Sequence, residues 1–422
     1  MTETFDIIVV GAGPAGLVAT IAAAEKGAKV LLLEKMEKPA RKLRITGKGR
    51  CNITNIKTEE DFLTNVFPDS RFFRPSFKNF SNTDLVKFLN ATGLDTVEER
   101  GGRVFPASQK SWDVAEVLVK EAEKKATVIC KAKVVKLFVE QGDITGLRYE
   151  YHGKQIDISA RAVILATGGL SYPLTGSTGD GYDFARCAGH NIVPLRPSLT
   201  GLELKDYEAI DLPLKNVELS LVVDGGVVQK EFGEMEFTGY GIDGPIVLKI
   251  SRNAVDAVRA NKKVATLINF KPALNRQQLI NRIEREICAL PNRYAGDLLK
   301  KLLPSSLVIP FAKKIQLSAN KKLADITPLD REKLVNGLFS FKYYVSGFRP
   351  FKEAIVTAGG VCLQEINSKT MCSTLIKNLF FAGEIIDLDA NTGGYNLQIA
   401  FSTGYLAGQN AAKWIFYQNL QD

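Results

Sequence analysis

Phe5-Asp6-Ile7-Ile8-Val9-Val10 is an apolar run without helical period, which predicts a short buried strand. It passes directly into Gly11-Ala12-Gly13-Pro14-Ala15-Gly16 and an alanine-rich helix to Lys26; a second apolar strand, Ala28 to Leu33, ends in Glu34. Ser111 to Lys125 places Val114, Val117 and Leu118 on one helical face. Three short strands follow, broken at Gly142-Asp143 and His152-Gly153, the pattern of a β-meander. Arg161 to Leu165 predicts another buried strand, stopping at Ala166-Thr167-Gly168-Gly169, and Leu219 to Val228 a hairpin turning at Asp224-Gly225. From Asn275 to Asn336 the period is helical, and at Asn378 to Ala382 the earlier strand style returns. The middle block is therefore expected to interrupt a nucleotide-binding domain.

The strand–turn–helix–strand context turns a glycine pattern into a dinucleotide fingerprint. Gly11 permits the tight turn, Gly13 admits a pyrophosphate against the backbone with Pro14 and Ala15 opening the helix, and Gly16 lets helix and strand pack closely. The helix amino terminus adds N–H donors and a positive dipole end. Glu34, 18 positions after Gly16, is placed to bind ribose hydroxyls. At this point FAD and NAD fit equally.

Composition and charge narrow the class. Of 422 residues 45% are hydrophobic and 24% charged, which suits a multidomain globular protein and excludes a fibrous or disordered one. Neither a signal peptide nor a membrane span is expected. Six cysteines without a C-x-x-C pair predict free thiols and a cytoplasmic location, and two histidines leave little for a histidine metal site or a Ser-His-Asp triad. The net charge of +9 is localised: Arg252 to Lys342 holds 18 Lys/Arg against 7 Asp/Glu. Within it Lys300, Lys301, Lys313, Lys314, Lys321 and Lys322 stand in a stretch free of acids from Leu298 to Ala324. They are read either as a solvated helical face or as a polyanion-binding surface.

Near the end of the chain, Leu379-Phe380-Phe381-Ala382-Gly383-Glu384 leads to Asp387 and then Thr392-Gly393-Gly394-Tyr395-Asn396, which opens a long helix toward Trp414. A strand ending in Gly-Glu suits the hydroxyls of a ribityl arm, while Gly393 and Gly394 let backbone approach a planar ring. The helix terminus favours negative charge there, as on a reduced flavin.

These segments, with RKLRITGKGRCNITN at 41–55, GRVFP at 102–106, ATGGLSYPLTGSTGDGY at 166–182, EAIVTAGGV at 353–361 and FAGEIIDLDANTGGYNLQIAFSTG at 381–404, carry a resemblance over nearly the whole chain. The chain resembles a bacterial family of FAD-dependent oxidoreductases of two-dinucleotide-binding-domain type. Its members are labelled NAD(P)/FAD-dependent oxidoreductase, aminoacetone oxidase-like, bile-acid reductase-like, or ribosomal RNA dihydrouridine synthase. The resemblance implies FAD as bound cofactor, NADH or NADPH as transient reductant, and an α/β, Rossmann-like FAD-binding domain with an inserted β-barrel-like domain and a helical subdomain. The expected boundaries are 1–194 with 345–422 for the FAD-binding domain, 195–274 with 337–344 for the β-rich insertion, and 275–336 for the basic helical subdomain. The implied cofactor-binding residues are Gly11, Gly13, Pro14, Ala15, Gly16, Glu34, Lys35, Arg41, Lys42, Gly49, Arg50, Cys51, Asn52, Ala166, Thr167, Gly168, Gly169, Gly383, Glu384, Asp387, Gly393, Gly394, Tyr395 and Asn396. Ser177, Thr178 and Asp180 are expected beside the flavin, and Lys48 and Arg50 beside pyrophosphate or an anionic substrate. One departure stands out: where the family reads F-T-H-x-G-x-S-G-P, this chain has Gly239 for the histidine and Asp243 for the serine, at Phe237 to Pro245.

Hydride transfer to a polarised C=C bond also needs a proton donor for the adjacent carbon. Cys51, Tyr172 and Tyr395 are the candidates, and Cys51→Ala is expected to keep FAD and lose turnover. Two functions follow. One reduces uridine to dihydrouridine in large-subunit ribosomal RNA, with the basic 252–342 region, notably the six lysines, binding phosphates. The other is a small-molecule flavoenzyme, an amine oxidase or a steroid-type ene-reductase. A flavin-containing RNA-binding scaffold is a third, non-enzymatic class.

Overall fold

The structure is a computed structural model and describes residues 4–289 and 292–418. Its contacts divide the chain into two units, Met1–Pro197 with Ala354–Asp422, and Ser198–Glu353.

The first unit is built on a seven-stranded sheet. Phe5–Val10 lies between Val30–Glu34 and Lys154–Leu165, with Thr127–Cys130 and Leu379–Phe381 beyond, all parallel. Phe5–Val10, Val30–Glu34, Leu379–Phe381 and the second half of Lys154–Leu165 are buried almost without interruption, as strands covered on both faces require. The last meander strand and the Arg161–Leu165 strand, separate in the sequence reading, are one strand. Its first half pairs antiparallel with Asp143–Tyr151 and its second half parallel with Phe5–Val10. The change from alternating to continuous burial at Ala160 marks the passage from a half-covered to a fully covered sheet.

The amphipathic helix occupies Ser111–Lys125, as its periodicity predicts. The final helix, Tyr395–Gln418, packs along Pro14–Ala24. Gly404 and Gly408 set that distance, since a Cβ at either would fall 2.3 or 2.1 Å from the carbonyl oxygens of Ala15 and Ala19.

The second unit contains a closed six-stranded barrel of Leu202–Leu204, Gly241–Asp243, Gly226–Phe237, Leu212–Val223, Val264–Asn269 and Phe341–Phe348 in spatial order. The expected hairpin is there but longer, and Asp224 and Gly225 both take positive φ, the type I′ geometry that matches strand twist. The 275–336 helices share the barrel's core: Phe311 stacks on Phe341 at 5.1 Å between centroids, and Leu298, Leu299, Leu302 and Leu307 join the same cluster. Helices of 8 to 14 residues cannot bury an apolar stripe alone, so this segment forms no unit of its own. No helix among the described residues is long and apolar enough to cross a membrane.

Candidate flavin site and donor set

The three fingerprint glycines have three different reasons to be glycine. Gly11 has φ +99°, and a Cβ there would lie 2.7 Å from the Ala166 carbonyl oxygen. A Cβ on Gly16 would lie 1.8 Å from the Gly11 oxygen, whereas one on Gly13 meets nothing within 4 Å. Strand and helix are thus in contact at Gly16, and Gly13 faces open space at the helix amino terminus. Pro14 occupies the first helical turn, where its missing N–H costs nothing.

Glu34 is buried, and its two carboxylate oxygens accept the N–H groups of Ala12 and Met36, each at 2.8 Å. Burial raises its pKa and these hydrogen bonds oppose the rise. Lys35 reaches across to Asp180 at 2.8 Å and to the Thr178 hydroxyl. Burial opposes ionisation of Asp180, but the Lys35 and Thr178 contacts outweigh it and hold the carboxyl below its ordinary range.

Other expected cofactor residues are likewise tied to protein groups. Lys42 pairs with Glu384 at 2.7 Å, and the other Glu384 oxygen accepts the Thr357 N–H at 2.7 Å. Arg41 pairs with Glu37 at 2.7 Å. Arg50 donates to Gln109 at 2.7 Å, contacts Glu99 and lies over the Phe105 ring, so its guanidinium is turned toward that strand pair. The Asn396 side chain donates to Ala390 and Asn391 carbonyls and accepts the Ala390 N–H, bracing the loop before the last helix. Gly383 and Gly394 take positive φ and press against the Ala15 side chain and the Thr54 backbone. Gly168, also at positive φ, lies beside Ser177, and Asp387 is buried.

Sequence reasoning missed Asn55 and Thr357. Asn55 donates to the carbonyls of Gly101 and Gly393 at 3.0 and 3.3 Å, while the Thr357 hydroxyl accepts the N–H of Leu170 and Ser171 at 2.8 and 3.1 Å. Both stand inside segments that carry the resemblance, but polar residues that brace loops have no spacing signature of their own.

The donor candidates separate by burial. Cys51 is wholly buried at φ +60°, and desolvation pushes its thiol up to about 12 despite a hydrogen bond with Thr46. Tyr395 is buried edge-on against Phe62 at 4.8 Å. Tyr172 is half-buried at φ +56° in the 170–180 loop.

Two polar atoms of the expected cofactor set are left without partners among the described residues. Asn52 Oδ1 and Thr167 Oγ1 are buried without a hydrogen-bond partner, and both belong to the expected cofactor set. Buried polar atoms are normally satisfied, and these two have hydrogen-bonding capacity left for a polar ligand. Together with the open face at Gly13 and Gly49, the residues fit FAD.

Fold and site together define a flavin-dependent oxidoreductase of Rossmann type. The family described as "HI0933-like protein Rossmann domain" matches residues 5–410, and the chain belongs to that family. It is 30% identical over 416 residues to 3-dehydro-bile acid delta(4,6)-reductase of Clostridium scindens, covering 96% of this chain and 98% of the relative. It is 29% identical over 412 residues to ribosomal RNA dihydrouridine synthase of Escherichia coli, covering 97% and 98%. Its fold is similar to that of 3-ketosteroid-delta4-(5alpha)-dehydrogenase from Rhodococcus jostii RHA1, solved with 4-androstene-3,17-dione, at TM-score 0.54 and 16% identity, with 98% of each chain covered.

In the second unit the six lysines differ in what holds them. Lys321 pairs with the buried Asp330 at 2.6 Å, Lys313 with Glu208, and the Lys314 ammonium lies 3.8 Å from the Tyr343 ring centroid. All but the half-buried Lys321 are exposed; Lys300 has Asp297 at 3.9 Å. Where the family pattern has histidine and serine, the Tyr240 hydroxyl donates to Asp243 at 2.7 Å and the Arg349 guanidinium covers the Tyr240 ring at 4.4 Å.

Proposed function

We propose that this chain reduces a carbon–carbon double bond conjugated to a carbonyl, and that the bond is C5=C6 of a uridine in large-subunit ribosomal RNA. Bound FAD, reduced by NADH or NADPH, would supply the hydride. The protein's own part is to hold the dinucleotide on the Gly11–Gly16 turn and Glu34, and to deliver a proton to the carbon beside the one accepting hydride. Tyr172 is assigned that role, because Cys51 and Tyr395 are sealed in the core whereas Tyr172 is half-buried on the glycine-rich loop.

The observation favouring RNA is the excess of 18 cations over 7 anions between Arg252 and Lys342, with Lys300, Lys301 and Lys322 exposed. The name of the Escherichia coli relative supports it. A small-molecule ene-reductase is the second reading, favoured by the bile-acid relative and by the internal partners of Lys313, Lys314 and Lys321. Anaerobic reoxidation of the reduced protein separates them. Dihydrouridine-free ribosomal RNA should reoxidise the flavin and acquire dihydrouridine; reoxidation by a steroidal enone with RNA inert would establish the second reading.

A further inference from the structure

Between Glu37 and Glu59 the chain has Lys38, Arg41, Lys42, Arg44, Lys48, Arg50 and Lys57 and no acid; between Glu99 and Asp113 it has Arg100, Arg103 and Lys110 and no acid. The fold brings these stretches together in the first unit. Thr54–Asn55 pairs with Arg103–Pro106, which pairs with Thr96–Glu99, and Arg50 ties the 46–51 loop to Glu99 and Gln109.

Carboxylates neutralise only part of this charge. Arg41 is paired with Glu37, Lys42 with Glu384, Arg44 with Glu116 and Arg50 with Glu99. Lys48, Lys57, Arg100, Arg103 and Lys110 are exposed and have no carboxylate partner among the described residues. They lie on one small sheet and its adjoining loops, so their fields add. The sheet also borders the flavin cradle: Asn55, in register with Arg103, donates to Gly101 on one side and Gly393 on the other.

We infer that this sheet is a phosphate-gripping face that takes the backbone of an RNA strand whose target base enters at Gly393. The inference rests on the RNA reading above and adds a second contact surface, in the cofactor-bearing unit. Three of the six lysines from Lys300 to Lys322 already have protein partners, Lys313 with Glu208, Lys314 with the Tyr343 ring and Lys321 with Asp330, whereas five cations of this face have no carboxylate partner among the described residues.

The test uses the FAD-loaded full chain and a protein-free transcript of large-subunit ribosomal RNA, with binding measured across a salt series. Arg100→Glu with Arg103→Glu, and separately Lys57→Glu with Lys110→Glu, should keep FAD absorbance and melting temperature. Each pair should weaken binding about tenfold or more, and lower the slope of log affinity against log salt by roughly 0.7 per lost phosphate contact. Wild-type affinity and slope in both pairs would overturn the inference. So would an unchanged RNA affinity accompanied by a raised KM for NADPH in flavin reduction, which would make the face a reductant site. Absence of salt-dependent RNA binding in the wild type would instead defeat the RNA reading itself.

Discussion

Adding one methyl group at Gly13 or at Gly16 should damage the protein in opposite ways. A Cβ at Gly16 begins 1.8 Å from the Gly11 carbonyl oxygen and needs at least 3.4 Å for ordinary contact, and neither atom can move without its backbone. The helix must therefore back away from the strand, an overpacking cost of about 1–3 kcal/mol. At roughly 2–4 °C per kcal/mol, the melting temperature of the FAD-free protein should fall by about 2–12 °C. Gly13 has φ −78° and nothing within 4 Å of its Cβ position, so Gly13→Ala should leave the FAD-free protein within about 1 kcal/mol of wild type. Its methyl group stands where the pyrophosphate approaches, and losing one charge-assisted N–H contact at ~1.5–3 kcal/mol raises the FAD Kd about 10- to 100-fold. With FAD at one hundred times the wild-type Kd, the wild type gains ~2.7 kcal/mol from binding, and a variant weakened 100-fold gains only ~0.4 kcal/mol. Calorimetry of each protein with and without FAD reads both numbers. Equal loss of melting temperature in the two FAD-free variants, or normal FAD stabilisation of Gly13→Ala, would show that the two glycines do not divide packing and pyrophosphate binding between them.

Other expectations come from the donor set and the lysines. Cys51→Ala should retain most turnover, contrary to the expectation from sequence, because the thiol is sealed and held protonated; steady-state kinetics at equal FAD loading decides it. Tyr172→Phe should keep FAD and lose ~10²–10⁴-fold in turnover, and an active variant would return the donor role to another group. Asp330 is held down at about 2 by hydrogen bonds from Lys321 and Thr327, so its stabilisation is present above its unfolded pKa near 4 and lost as pH falls toward 2. Lys321→Met should flatten thermal stability against pH within that window and leave RNA affinity unchanged.

How much the sequence disclosed depended on whether a feature repeats locally. The Gly11–Gly16 turn, the Ser111–Lys125 helix and the Asp224-Gly225 hairpin follow from local backbone demands, and the structure places them there. The single strand Lys154–Leu165 was divided because its burial pattern changes midway, where a neighbour distant in sequence takes over. The 275–336 helices were set apart by their period, although Phe311 and Phe341 join them to the barrel. Long-range partners were the least legible: nothing near Lys321 announces Asp330, nor anything near Arg50 that Glu99 and Gln109 will hold it. Cys51 was read as reactive from its loop, and only the packing around it shows a core residue.

The substrate is decided by nucleoside mass spectrometry of ribosomal RNA from a strain lacking this gene and from its parent. A uridine heavier by two hydrogens should be present in the parent, missing in the deletion strain and restored by the wild-type gene but not by Tyr172→Phe. Equal dihydrouridine in both strains, or none in either, would contradict the RNA reading and leave the second reading, reduction of a small conjugated enone.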